Sequence, residues 1–126
     1  MRLTRHTSLA THLIIGCYWL AMFVGTHLPN PELLIGPVVS DKTLHFGAYF
    51  VLAGMLAIRT QLLHGDFRRS SAVRIVGLLT VYAAIDELLQ ALPQINRHAD
   101  WWDGVADIAG AISACAVMGL WGRNCN

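Results

Sequence analysis

The sequence predicts an all-α fold, a four-helix polytopic transmembrane bundle with both termini cytoplasmic, and three observations predict it. Hydrophobic residues make up 55% of the 126-residue chain and charged residues only 13%, about half the usual globular share. A soluble domain this small would need far more polar surface. Apolar stretches long enough for the hydrocarbon layer recur along the chain, separated by turns bearing Pro, Gly or Arg. The polar side chains that interrupt these stretches gather near matching ends. The length suits a single domain covering residues 1–126. A net charge of +1 and scattered bases argue against nucleic acid as a partner.

Segment one spans about 8–28, and residues 7–31 contain no Asp, Glu, Lys or Arg. At about 1.5 Å per helical residue that length crosses roughly 30 Å of hydrocarbon. Arg2 and Arg5 before it resemble the start of a signal peptide, but no small-x-small cleavage site closes the run. Ile14-Ile15-Gly16-Cys17 superficially fits a lipoprotein cleavage box. The chain stays apolar well beyond Cys17, however, so the segment is read as a retained span. Pro29, Pro31 and Pro37 make the following loop irregular. Segment two spans about 43–63, with Arg59 near its far end. Segment three spans about 72–91, carries Asp86 and Glu87, and is stopped by Pro93. Segment four spans about 104–121. Cys17, Cys115 and Cys125 have no metal-ligand spacing and imply no disulfide framework.

Seven of the nine bases (Arg2, Arg5, Arg59, Arg68, Arg69, Arg74 and Arg123) fall before segment one, around the turn between two and three, or after four. Lys42 and Arg97 fall on the other side. The positive-inside rule therefore expects a multi-pass plasma (inner) membrane protein with cytoplasmic termini, and places the polar set outside.

That polar set has helical order. Asp41, His45 and Tyr49 form one stripe, since each step of four residues turns only about 40°. Tyr82, Asp86 and Gln90 form another, with Glu87 beside it, and Asp103 and Asp107 repeat the step on segment four. His45, Glu87 and Asp107 lie four residues inward of Asp41, Ala91 and Asp103 respectively, about 6 Å down, so three antiparallel helices present them at matching depth.

These residues also carry a resemblance. Asp41-Lys42-x-x-His45-Phe46-x-x-Tyr49, then Glu87-x-x-Gln90, then Arg97-x-x-Asp100-x-x-Asp103-x-x-x-Asp107-x-x-Gly110 resemble, in order and spacing, the motif blocks of the VanZ-like membrane proteins. The match covers residues 41–110, and Asp107 stands where the family usually has Asn. The resemblance implies a multi-span envelope protein of a family named for low-level resistance to the glycopeptide teicoplanin, and it implies architecture more than mechanism.

Within that polar set six acids (Asp41, Asp86, Glu87, Asp100, Asp103 and Asp107) face two bases, Lys42 and Arg97, a formal excess of four negative charges. Ionised carboxylates near hydrocarbon need compensation. Water in a pocket ranks first as its source, protonation second and a cation third. No cofactor is expected and no metal is assigned. Glu87, Asp103 and Asp107 offer oxygens to Ca²⁺ or Mg²⁺, and His45 with two acids suits Zn²⁺, but spacing alone selects neither. The bland readings stand beside these. His45 serves equally as an interhelical hydrogen-bond donor, and Tyr49 as packing. Arg97 pairs with Asp100 or Asp103, or binds an anionic headgroup. Asp107 caps or cross-links helices, loop acids such as Asp100 are simply solvated, and His12 and His27 are structural. Trp101 and Trp102 read as an interfacial anchor, and Gly110, Ser113 and Ala114 as close helix packing.

Two function classes follow. The first is binding or shielding of a lipid-linked wall component or glycopeptide antibiotic, using Asp41, Lys42, His45, Tyr49, Glu87, Gln90, Arg97, Asp100, Asp103 and Asp107. The alternative is an intramembrane enzyme acting on a lipid headgroup or wall precursor, with Glu87, His45 and Asp107 as catalytic candidates in acid–base chemistry. The expected partners are the bilayer and such a precursor or glycopeptide.

Overall fold

Helices form where the apolar segments stand, and most run past them. The computed structural model describes residues 5–27, 40–92 and 100–124, which are helical almost throughout. The elements are α1 (Arg5–Thr26), α2 (Asp41–His64), α3 (Arg69–Gln90) and α4 (Trp101–Asn124). The added turns carry polar residues, such as Asp41 and Lys42 on α2 and Arg69, Ser70 and Ser71 on α3. Helical hydrogen bonding continues where hydrocarbon ends, so an apolar count marks membrane thickness rather than helix length.

Local chemistry sets the ends of α2. Ser40 holds an extended backbone, and its hydroxyl accepts the Thr43 N–H at 3.3 Å. Asp41 in the first turn complements the helix dipole. Gly65 closes the helix in the left-handed conformation, φ 82°, donating its N–H to the Gln61 carbonyl at 2.7 Å. A side chain there would be strained. The short link from Gly65 to Arg69 folds α2 and α3 into a hairpin.

Three helices are long and apolar enough to cross a membrane, over Ser8–Thr26, Asp41–His64 and Trp101–Gly122. The composition of α3 is more charged, because Arg69, Arg74, Asp86 and Glu87 interrupt it. Its outward face is nonetheless apolar, with Val73, Leu78, Val81, Ile85 and Leu88 all exposed.

The bundle is inverted relative to a water-soluble one. Leu20, Val81 and Trp121 are at least 60% exposed, whereas His45, Asp86, Gln90, Asp103 and Asp107 are at most 3% exposed. Apolar outside and polar inside suits lipid rather than water.

The closest packing joins α2 to α4, and α1 lies mainly against α2. Tyr49, Leu52, Ala53 and Ala57 on α2, with Ala111 and Ala114 on α4, are buried in the core. A Cβ at Gly110 would run into the Phe46 carbonyl oxygen. Lipid tails are as apolar as these side chains, so association rests on close packing and polar contacts. Ser113, expected in this packing, turns its hydroxyl back to the Ala109 carbonyl at 2.7 Å. The Tyr18 hydroxyl ties α1 to α2 by donating to the Ala48 carbonyl at 3.1 Å.

The end of α1, the start of α2, the end of α3 and the start of α4 meet at one pole, as bonds between Thr26 and Asp86 and between His45 and Asp107 require. Near the other pole His12 on α1 bonds Arg59 on α2. There α3 and α4 part around a groove of about 1060 Å³, with Arg68, Arg69, Cys115 and Gly119 among its lining residues.

Candidate functional site

The α2 stripe of Asp41, His45 and Tyr49 turns toward α4. His45 lies between two carboxylates, its Nδ1 3.0 Å from Asp107 Oδ1 and its Nε2 4.0 Å from Asp41 Oδ1. Four-residue spacing stacks Asp41 over His45, and the tight seam at Gly110 brings Asp107 within reach. Tyr49 is fully buried one turn deeper, its ring centroid 5.9 Å from that of Tyr82.

Lys42 closes the outer rim. Its ammonium donates to Asp100 Oδ2 at 2.6 Å and Asp103 Oδ1 at 3.3 Å. The bond from Lys42, joined by the Trp102 N–H at 3.0 Å, holds the Asp100 carboxyl below its ordinary range. Asp100, expected as a solvated loop acid, stays 38% exposed while it pairs with Lys42. Arg97, expected to pair with Asp100 or Asp103, lies outside the described residues. Trp101 and Trp102 are exposed beside the rim, their ring centroids 4.2 Å apart.

Two adjacent acids on α3 face different surroundings. Asp86 Oδ1 accepts the Thr26 hydroxyl at 3.2 Å and lies 3.6 Å from His27 Nδ1, while Oδ2 accepts the Gln90 amide at 3.0 Å. His27, which showed no partner in the sequence, thus belongs to a polar contact between α1 and α3. Thr26 and His27 were missed as partners of Asp86, although their place at the polar end of segment one was the available signal. Gln90 uses its amide donors on Asp86, and its buried carbonyl oxygen meets no hydrogen-bond donor among the described residues.

Glu87 differs. Both its carboxylate oxygens are buried without a hydrogen-bond partner among the described residues, and so is Asp107 Oδ2. A His45 ring nitrogen and carboxylate oxygens of Glu87 and Asp107 lie within 4.8 Å of one another. A second group, Asp41, His45 and Asp103, meets the same limit and shares His45. The structure thus brings together His45, Glu87 and Asp107 from three helices, with Asp41, Lys42, Asp100 and Asp103 forming a rim above them. Such a set can accept a proton, orient an imidazole against a carboxylate, or surround a cation.

No family model matches the chain, and no curated protein or solved structure matches it.

Proposed function

We propose that the chain is a VanZ-like, four-span protein of the plasma membrane, with both termini and the α2–α3 turn in the cytoplasm. The polar pole then faces outward and binds or shields a lipid-linked wall component or a teicoplanin-type glycopeptide. One observation carries this reading: buried His45, Asp103 and Asp107, with the half-buried Glu87 beside them, cluster at one end of a bundle whose outer surface is apolar. Polar groups at that depth are expensive and mark function by default. The fourth span rests on the exposed apolar face of α3, the orientation on the seven-to-two division of bases, and the family on the three motif blocks. Lys42 and Arg97 suit phosphate or carboxylate, and the Trp101–Trp102 pair suits an apolar portion at the interface.

Mass spectrometry of lipids extracted from the purified full-length protein tests this reading. Selective enrichment of an isoprenoid- or glycerol-anchored wall intermediate over bulk phospholipid supports it. Bulk phospholipid alone, together with unchanged teicoplanin susceptibility on expression and deletion, overturns it.

One observation favours the enzymatic alternative. The unpartnered Glu87 carboxylate stands beside a His45–Asp107 pair, a base next to an oriented imidazole. In that mechanism Glu87 takes or gives the proton at the headgroup and His45 shuttles it, with Asp107 fixing the ring. Turnover abolished by Glu87→Gln, with lipid association retained, distinguishes catalysis from binding alone.

A further inference from the structure

We infer that His45, Glu87 and Asp107 form a binding site for a divalent transition metal of the Zn²⁺ type at the junction of α2, α3 and α4. Their donor atoms lie within 4.8 Å of one another. Ligands about 2.0–2.2 Å from a shared tetrahedral ion stand roughly 3.4 Å apart.

Proximity of acids is common and does not by itself make a site. A second, independent observation is that Asp107 is only 1% exposed while its Oδ2 meets no hydrogen-bond partner among the described residues; on the half-buried Glu87 both oxygens are likewise shielded and unpartnered there. Buried carboxylates persist when paired, hydrogen-bonded or bound to metal. Among the described residues neither Lys nor Arg pairs with Glu87 or Asp107. The neighbouring group of Asp41, His45 and Asp103 lacks this feature, since Lys42 already holds Asp103 at 3.3 Å.

Charge points the same way. A dication between two carboxylates and a neutral imidazole gives a formally neutral centre, the low-cost state in a medium of low dielectric. The donor set selects the metal class. One imidazole nitrogen with two carboxylate oxygens fits Zn²⁺, whereas Ca²⁺ and Mg²⁺ favour all-oxygen surroundings. With Nδ1 turned to the metal, Nε2–H faces Asp41 Oδ1, now 4.0 Å away, so that Asp41 orients the ring. Three protein ligands leave a position open to water or an oxygen of a bound molecule. The ion takes the place of any proton shared by His45 and Asp107, so affinity rises with pH. This inference goes beyond the headgroup reading, and either can fail alone.

The test is equilibrium binding of Zn²⁺, and separately Co²⁺, to the purified full chain in detergent. Melting temperature and circular dichroism are recorded for every variant. The expected result is about one ion per chain, abolished by Glu87→Gln and by Asp107→Asn in variants that remain helical. Asp41→Asn weakens binding about tenfold or more, because the charged acceptor that orients the His45 ring is lost. Bound Co²⁺ shows ligand-field bands without sulfur-to-metal charge transfer, which separates this site from Cys17 and Cys115. Substoichiometric metal, binding unaffected by both carboxylate variants, or a thiolate signature overturns the proposal. So does a melting temperature that ignores chelator but falls in Arg97→Gln, because the arginine would then be the neutralising charge.

Discussion

Asp86 and Glu87 are chain neighbours at the same pole of the bundle, yet α3 aims them into different pockets. Asp86 points to α1 and has a partner on each oxygen: Thr26 and His27 on one, Gln90 on the other. Glu87 lies near α2 and α4, beside His45 and Asp107, with neither oxygen hydrogen-bonded among the described residues. A buried acid with a hydrogen-bond partner on each oxygen, one of them on another helix, holds helices together. One whose oxygens are shielded and unengaged contributes little to cohesion and is free to receive a ligand. The contrast separates a structural contact from a candidate site within one peptide unit.

The strongest way to break that distinction is Asp86→Ala. It leaves the buried Gln90 amide without its acceptor and removes the link from α3 to Thr26, whose hydroxyl keeps the Phe23 carbonyl at 3.0 Å, with an expected loss of about 2–3 kcal/mol, measured by reversible unfolding in bicelles. A loss no larger than that of Glu87→Ala would erase the comparison. Next comes Gly110→Ala, which pushes α2 from α4 against the Phe46 backbone and is expected to cost about 1–3 kcal/mol. Hydrogen exchange should show loosening where α2 meets α4, while the contact between Thr26 and Asp86 keeps its protection. Uniform loosening would mean the two pockets are one unit. Glu87→Gln comes third, with stability changed by less than about 0.5 kcal/mol in either direction, because no partner is lost on mutation. A large destabilisation would show that the carboxylate is already engaged.

The smallest effect is at the rim. The Asp100 carboxyl is held low chiefly by the Lys42 bond. The clasp is therefore intact above the ordinary aspartate range and lets go only as pH falls through the lowered value. Lys42→Gln should move the Asp100 titration upward, followed by carboxyl NMR. An unmoved titration would assign the effect to the Trp102 N–H instead.

The convergence of His45, Glu87 and Asp107 was legible because four-residue spacing and distance from a segment edge are both one-dimensional quantities. The all-helical architecture was legible for a similar reason, since the composition leaves few other ways to satisfy the backbone. Thr26 and His27 were not legible as partners of Asp86, because the rotation of α1 about its own axis is set by packing that no spacing encodes. Nor was the grip of Lys42 on Asp100, which depends on α4 beginning at Trp101, with Asp100 just before its first turn. The starts of α2, α3 and α4 lay outside the apolar count altogether, in turns that hydropathy treats as loop.

The absence of a side chain at Gly110 has a mechanical consequence. With two backbones in direct contact, α2 and α4 behave as a single stiff strut, and the gap between His45 and Asp107 is set like the jaws of a fixed gauge. Any widening of the pocket for a larger guest must therefore come from a sideways displacement of α3, which carries Glu87 in or out as the adjustable jaw.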